Sequence, residues 1–580
     1  MRNTEAEKHY RRKELSQEMN LFEKYDEDII AYDTAELREK SVAFLMREAK
    51  IARSNTDSYW QRMANYYGGA HDTAKQTGDF LAQTELPWKP ATVPDAYLHV
   101  ESQIEAKMPD FEFYARSGDE ADMAKARESV VRYICDRNEL EIKNSVNERR
   151  LGIMGSAVWK LALTTGENGT DEIAIENPSP EDIYPDPNST SVDSCEYIGY
   201  TYKLSRLAAQ RIFADDLALM ETSIDRILSE RDSELGIETD IYSSDVAPLI
   251  DVTEWWFRQP YDGSCSCDTV DAAGNITEVT YDYRAGDIAL CILLCGREVR
   301  YIPKFWNKTS CTHYPFVIYS RIMSDNSIWG RSEIEAVLPL IDAADRQLAF
   351  AQLNTAFFSN DILLYEENAF APDSYPQNHP GAVWKLRPGM IDKVSRLGGL
   401  AGDSTVHYEI ADKYRALMKE ALGNYDFMQG DSATQVTTAT GLALLSDFAG
   451  KRVAAKQVCK KAGFARLYRL LDYFALEVYS HERLAAIGTG CEGAFERCDH
   501  CMALLGYIPT VDVKINIGDG LENSRSFTIS AISELMKTEI TEENYPIVRA
   551  YIESLGIPYG AEICEKLDER FAKAGEGKEA

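Results

Sequence analysis

The amino-acid sequence predicts an α+β fold that is mainly helical. Three observations lead to this fold class: apolar residues recur at helical spacing through long stretches in both halves of the chain, a strand-rich section separates those stretches, and the composition is globular. Of the 580 residues, 44% are hydrophobic and 27% are charged, a balance that excludes both a membrane protein and a disordered acidic tail.

The first part of the chain, residues 1–157, is predicted to be helical. Apolar residues at helical spacing over 8–70 indicate a helix that stops at a pair of glycines, and several prolines then indicate a loop over 70–95. A helix over 96–107 should end before the next proline, and another should run from 119 to about 155.

The middle of the chain, residues 158–325, is predicted to be mostly β-structure. Alternating or continuous apolar segments predict strands at 250–257, 276–283 and 288–294, and turns rich in Gly, Asn and Asp bound them. A helical segment at about 205–235 interrupts these strands.

From residue 331 the pattern returns to helix, and Pro339 must either lie in the first turn of that helix or kink it. A turn-rich segment with β character over 361–407 separates this helix from a second one at about 408–424.

The remaining sequence begins with a polar, threonine-rich stretch, 429–440, and a long helix at roughly 441–484 follows. Apolar alternation predicts a strand at 507–517, and short helices are expected over 526–573.

The charge balance is strongly acidic. The chain has 62 Lys+Arg against 94 Asp+Glu, a net charge of −32, which argues against a protein that binds nucleic acid through a generally basic surface. The charged N-terminus has no apolar signal region, and no segment reaches the roughly 18 apolar residues that span a bilayer. We therefore expect a cytoplasmic location and no membrane partner.

No catalytic motif is present, so no enzymatic activity and no cofactor are expected. The glycine-rich segment 398–404 lacks the lysine that a phosphate-binding loop needs, and neither a zinc-protease nor a nucleophile-elbow motif occurs.

Most of the 12 cysteines are expected to be free thiols in a reducing compartment. A hairpin could bring four of them together as zinc ligands: Cys265, Cys267, Cys291 and Cys295. A second group is Cys491, Cys498, His500 and Cys501. Neither group has two C-x2-C pairs, and strand alternation would instead put Cys291 and Cys295 on one face as core residues. The favoured interpretation is no metal, and zinc at the first group stays as an alternative.

Five stretches together resemble portal proteins of tailed bacteriophages. The first is 177–205, with the run Tyr-Pro-Asp-Pro-Asn inside it, and the others are 59–69, 147–159, 315–317 together with 329–346, and 438–445. Each stretch alone is degenerate, but their order along most of residues 55–520 is specific.

The resemblance implies a division of the chain into named regions. Residues 1–330 would form the wing (helical 1–157, β-rich 158–330), 331–360 the first stem helix, 361–407 the clip, 408–428 the second stem helix, 429–440 the tunnel loop, 441–499 the long wing helix and its connection, 500–521 a wing strand, and 522–580 the crown.

The resemblance also implies a function. Such a protein assembles as a dodecameric ring at one vertex of the capsid, where double-stranded DNA passes during packaging and ejection. Its partners would be the terminase large subunit, a head-completion or adaptor protein, and the major capsid and scaffolding proteins. The location would be the virion, with assembly in the host cytoplasm. A protein of another class, a zinc-stapled adaptor or scaffold that binds protein partners only, remains the alternative. A nucleic-acid-processing enzyme with unrecognised carboxylates is a second alternative.

Three groups of residues are predicted to make contacts. The tunnel loop would face DNA with Gln429, Asp431, Ser432, Thr434, Gln435, Thr437 and Thr438, unless it is an ordinary linker. The run 451–469 holds seven Lys/Arg and no Asp or Glu, and its possible channel residues are Lys451, Arg452, Lys456, Lys460 and Lys461. The alternatives for this run are pairing with acidic groups of a neighbouring subunit and a plain solvated face. Clip residues that would meet terminase or adaptor, unless they are ordinary loop side chains, are Trp384, Lys385, Arg387, Lys393 and Arg396.

Overall fold

A computed structural model describes most of the chain, in two compact units. The described residues are 30–70, 94–104, 108–115, 121–165, 171–234, 249–270, 276–309, 311–358, 362–367, 369–371, 385–397, 405–422, 439–488, 495 and 511–516. The first unit comprises Met1–Trp60, Ile104–Ser332 and Leu444–Ala580, and the second comprises Gln61–Gln103 and Glu333–Ala443.

The helices match the predicted mixed fold. They are α1 (Ala35–Tyr67), α2 (Asp95–Ser102), α3 (Ala121–Arg137), α4 (Leu140–Met154), α5 (Arg206–Ile212), α6 (Ala214–Leu219), α7 (Ile224–Glu234), α8 (Leu338–Phe358), α9 (Thr405–Leu422), α10 (Ala439–Val478) and α11 (His481–Ile487). None of the helices in the described ranges is both long and apolar enough to cross a membrane.

The strands form antiparallel pairs. They are β1 (Asp110–Tyr114), β2 (Ser156–Thr165), β3 (Asp171–Glu176), β4 (Ile183–Pro185), β5 (Tyr197–Leu204), β6 (Ile250–Arg258), β7 (Gly263–Val270), β8 (Ile276–Tyr283), β9 (Ile288–Leu294), β10 (Arg297–Ile302), β11 (Phe316–Ser320), β12 (Ile362–Tyr365), β13 (Val394–Leu397) and β14 (Asp512–Asn516). The larger sheets of the first unit have the orders β10-β9-β6-β5-β4 and β11-β2-β3.

One helix predicted over 119–155 is in fact two, α3 and α4. The break lies at Asn138 and Glu139, and Glu139 has a left-handed φ of 49°. The Asn138 side chain donates to the carbonyl oxygens of Ile134 and Ile173, each at 2.9 Å. An amide that closes the end of α3 and also bonds to β3 stabilises the break, because it satisfies a carbonyl at the helix end.

Strand β1 was not predicted, although its partner was. The predicted strand at 507–517 is described as β14, and it pairs with β1 in the register Phe111 opposite Ile515 and Phe113 opposite Val513. The two strands come from distant parts of the chain, so pairing joins the N-terminal and C-terminal parts of the first unit.

The five-stranded sheet is buried on both faces. On one face Trp255 and Cys291 pack with Leu45 and Met46 of α1 in a small separate core. On the other face Trp256 belongs to the main core, to which α10 also contributes buried side chains. A sheet covered on both sides needs continuous apolar strands, and β9 is buried at all of its positions.

The second unit contains a pair of packed helices, α8 and α9, joined through the β12–β13 hairpin. Pro339 lies in the first turn of α8, where a missing backbone N–H costs no hydrogen bond. The helices contact each other through His407, whose Nδ1 lies 2.8 Å from Oε1 of Gln347. Helix α1 ends in this unit, and Tyr66 there donates to Asp342 at 2.7 Å.

Candidate DNA-contacting and partner-docking elements

The predicted tunnel loop, 429–440, lies outside the described residues. Its seven candidate DNA-facing side chains therefore stay a prediction. The loop leads directly into α10, which contains the basic run 451–469. The surroundings of the described side chains of α10 show which of these cations are exposed.

Helix α10 carries the basic run, and its described side chains begin at residue 457. The backbone at Lys451, Arg452 and Lys456 is helical, as predicted, and their side chains lie outside the described residues. Lys461 is half-buried and forms no ion pair with any residue that the structure describes.

Lys460 points into the protein. Its Nζ lies 2.8 Å from Oε1 of Glu148 on α4, and Arg321 pairs with the other oxygen of that carboxylate. The side chains of Lys460 and Glu148 are only 5% and 1% exposed. Lys460 therefore leaves the set of channel candidates, because a cation that is buried and paired inside the chain has no surface to offer DNA.

The solvent-facing side of α10 is a different stripe. Val458, Ala462 and Arg469 are exposed and Arg466 is half-exposed, at intervals of four, four and three residues. Such intervals place the four side chains on one face of a helix. In the sequence, Arg452, Lys456 and Lys460 recur at intervals of four and are predicted to share a helix face by the same rule, but only burial distinguishes an outer stripe from an inner one.

Buried polar contacts hold α10 in place. Arg127 of α3 forms a two-point pair with Asp472, with Nε 2.8 Å from Oδ1. Further along, the Glu477 carboxylate accepts hydrogen bonds from the backbone N–H groups of three successive residues, 307–309, at 2.8–3.0 Å. Helix α10 is thereby fixed to both the helical and the strand-rich parts of the first unit.

The predicted clip contains an antiparallel hairpin, in which Leu363 lies opposite Arg396. Of the five candidate residues, Lys385, Arg387 and Lys393 are exposed, and Lys393 pairs with Glu366 at 2.7 Å. The side chain of Arg396 and all of Trp384 lie outside the described residues.

Sequence reasoning missed two apolar side chains of the same region. Ile391 is 75% exposed and Tyr365 is 53% exposed. A signal was present, because Ile391 follows the turn of Pro388 and Gly389 and directly precedes the charged pair Asp392 and Lys393. Large apolar side chains that stay exposed are typical of interaction surfaces when polar residues surround them.

Three of the stretches that carry the portal resemblance meet at one junction. Gly155 has a φ of +80°, and a Cβ on it would lie 2.3 Å from the backbone carbon of Arg331. A Cβ on Gly330 would likewise lie 2.3 Å from the Ser320 side chain. The rings of Trp60 and Trp329 pack edge to face at 5.1 Å. Only glycine allows two backbones to approach this closely.

The fourth stretch, 177–205, is held by two arginines. Arg53 of α1 donates to the carbonyl oxygens of Ile183 and Glu181, each at 2.5 Å, and its guanidinium lies 3.8 Å from the Tyr184 ring centre. Arg150 donates to the carbonyl of Pro178 at 3.1 Å. The proline-rich turn is thus fixed by hydrogen bonds to its backbone, which accounts for arginines at these positions.

A known protein family matches the greater part of the chain. The model of the phage P22-like portal protein family matches residues 93–439, more than half of the chain. The chain belongs to this portal family. No curated protein matches the chain. The portal family is structural rather than enzymatic.

The four cysteines of the zinc alternative do not form one site in this portal protein. Cys265 and Cys267 share a face of β7, with their sulfurs 3.9 Å apart, and burial and Cys265 raise the pKa of Cys267 to about 12. Cys291 is buried beneath α1 and donates to Glu298 at 3.1 Å. Among the described residues there is no group of three or more side chains that could hold a metal ion.

The prediction that Cys291 and Cys295 share one core face is wrong. Strand β9 ends at Leu294, and Cys295 lies in the following turn with a φ of 50°. Cys291 packs in the small core beneath α1, whereas Cys295 packs against the main core and accepts a hydrogen bond from Arg231. The second cysteine group, 491–501, lies outside the described residues.

Proposed function

We propose that this portal protein forms a ring at one vertex of the capsid, through which double-stranded DNA is packaged and ejected. The family match over residues 93–439 carries the proposal. The ring would be a dodecamer, present in the virion and assembled in the host cytoplasm. The absence of a phosphate-binding motif means that a separate ATPase would supply the energy for packaging.

The packed pair α8 and α9 would be the stem of each subunit, and the 361–407 region between them would be the clip. An exposed stripe on α9 supports burial against another subunit, because Val406 and Leu417 are each 49% exposed and lie eleven residues apart on one helix face. The wing and crown assignments are part of the same proposal and rest on the sequence resemblance, since the family match ends at residue 439.

The DNA path would combine a repelling wall with weak contacts. A net charge of −32 per chain opposes tight binding of a polyanion, while the tunnel loop supplies hydroxyl and amide groups that can touch phosphates without holding them. Lys451, Arg452 and Lys456 remain candidate contacts on this path, and Lys460 does not.

The first experiment is imaging of the purified protein by negative-stain electron microscopy, together with a mass measurement in solution. Rings with a central channel and a mass of about twelve chains support the proposal. A compact monomer at every protein concentration refutes it.

The clip would dock the terminase large subunit during packaging and a head-completion protein afterwards. Lys385, Arg387 and the 75%-exposed Ile391 form the described part of this surface. We expect Ile391→Asp to weaken binding of terminase to assembled rings about tenfold or more, since a central apolar anchor contributes most to an interface.

The matched control for the clip is Leu207→Asp on α5, because Leu207 is 80% exposed and lies in the first unit. It introduces the same charge at a similarly exposed apolar position. Equal terminase binding by both variants would remove Ile391 from the docking surface while leaving the ring proposal in place.

A further inference from the structure

The outer face of α10 ends in a cluster of basic side chains. Arg466 pairs with Oδ2 of Asp193, and Nδ1 of His313 lies 3.1 Å from Oδ1 of the same carboxylate. Arg258 lies beside them, and Arg469 is exposed one turn further along α10. We call these residues, with Val458 and Ala462 of the same helix face, the α10 face.

Positive charge exceeds negative charge in this cluster. Arg258 donates only to backbone carbonyl oxygens, those of residues 193, 195, 286 and 312, at 3.1–3.3 Å. Arg469 makes no ion pair with any residue within the described ranges. Among the described contacts of this cluster, the Asp193 carboxylate pairs with Arg466 and His313, while Arg258 and Arg469 pair with no carboxylate.

The neighbouring arginines also affect the pKa values of Arg466 and His313. Burial and the charge of Arg469 lower the pKa of Arg466, and burial, Arg258 and Arg469 lower the pKa of His313. Burial is the larger cause of both pKa shifts, and the neighbouring arginines lower the pKa values further, so an additional anion at this place would be stabilising.

The rest of the α10 face is apolar. Val458 is 64% exposed and Ala462 is exposed, and both precede the arginines on the same stripe. Protein interfaces combine apolar side chains with arginine, whereas surfaces that bind double-stranded DNA depend on several cations that neutralise phosphates. The chemistry of this face thus favours a protein partner with carboxylates at its edge.

We propose that the α10 face binds an acidic surface on a second copy of this chain. The inference rests on the proposed ring, because a ring uses a heterologous contact in which two different surfaces of one chain must be complementary. A chain of net charge −32 offers acidic surface to its neighbour, and a basic patch is what can attract it.

The first test compares Arg466→Gln/Arg469→Gln with Arg211→Gln, a control that removes a cation from an exposed position on α5. The Arg466–Asp193 pair is about 40% exposed, so its loss should leave folding intact, and the circular dichroism spectrum and the unfolding midpoint verify this. The double variant should need about tenfold or more protein to assemble in 0.15 M salt. Assembly equal to that of Arg211→Gln would overturn the inference.

The second test identifies what lies on the face. A photoreactive benzoylphenylalanine placed at Ala462 is activated in rings assembled from isotopically heavy and light chains. Cross-links that join heavy to light peptides support the inference. Cross-links to DNA alone, or none to another chain in assembled rings, overturn it.

The two proposals fail in distinguishable ways. A parent protein that never assembles contradicts the proposed function itself. If Arg466→Gln/Arg469→Gln forms rings as readily as the control Arg211→Gln, only this inference is contradicted. If rings of Arg466→Gln/Arg469→Gln form normally but their DNA binding depends less on salt than that of the parent rings, the α10 face is assigned to DNA instead.

Discussion

Replacing Gly463 with alanine should destabilise the protein, although alanine is the better helix former. Gly463 lies where α10 crosses β11, and a Cβ on it would be 2.7 Å from the Cβ of Tyr319 and 2.8 Å from its Cγ. The Cβ of Tyr319 cannot rotate away, because it is bonded to the backbone of a strand that is paired with β2 opposite Ala157. The helix itself would have to move.

Two effects of opposite sign set the magnitude. Alanine in place of glycine inside a helix stabilises by about 1 kcal/mol. Forcing an extra carbon into a packed contact costs about 1–3 kcal/mol, and a 2.7 Å contact with a fixed atom belongs in the upper half of that range. The steric term is the larger, so we expect a net loss of about 1–2 kcal/mol.

The assay is urea unfolding followed by tryptophan fluorescence, with every variant at one protein concentration because assembly shifts the midpoint. The sharpest control is Ala462→Gly/Gly463→Ala, which exchanges the two residues and so cancels helix propensity. It isolates the steric term and should lose more stability than Gly463→Ala alone. A midpoint that rises in Gly463→Ala would refute the reasoning, because propensity alone would then account for the result.

Three further outcomes follow from the described contacts. Glu148→Gln removes the buried carboxylate shared by Lys460 and Arg321 and should lower the free energy of unfolding by about 3–5 kcal/mol. Glu141→Gln, at an exposed position of the same helix, should lower it by under about 0.5 kcal/mol. Similar urea midpoints for the two variants would contradict this. Burial raises the pKa of Tyr32 to about 12, so its contribution to stability is complete below pH 10 and is lost as the pH rises toward 12. Tyr32→Phe should therefore lose less stability than the parent between pH 10 and 12, and equal losses would count against it. Cys265→Ser/Cys267→Ser should change neither assembly nor the metal content measured by mass spectrometry, and the loss of about one zinc per chain would restore the zinc alternative.

Local patterns predicted the elements whose limits depend on nearby residues. The strands at 276–283 and 288–294 have the predicted bounds, because turns and a change of polarity define both ends. Helix α1 stops just before Gly68 and Gly69 for an equally local reason. The sequence alone limited Pro339 to two arrangements, the first turn of a helix or a kink within it, because proline restricts the backbone within a single turn.

The elements that were missed depend on distant partners. The break between α3 and α4 relies on Asn138 reaching β3, and β1 exists because β14 supplies its hydrogen bonds. No periodicity within 119–155 or near 110 contains that information. The same holds for Lys460, since helical spacing placed it on a stripe but its carboxylate partner is on α4.

The basic run of α10 therefore does not have one environment along its length. Lys460 points inward, where the buried Glu148 carboxylate pairs with it. Arg466 and Arg469 face outward, and Asp193 is the carboxylate that the described contacts give to this pair of arginines, through Arg466. On a chain of net charge −32, most contacts between two copies would bring like charges together and be repulsive. A small basic face is then selective as well as attractive, because wrong orientations are penalised by the surrounding acidic surface. The acidity that opposes binding of DNA would in this way also restrict how subunits can meet.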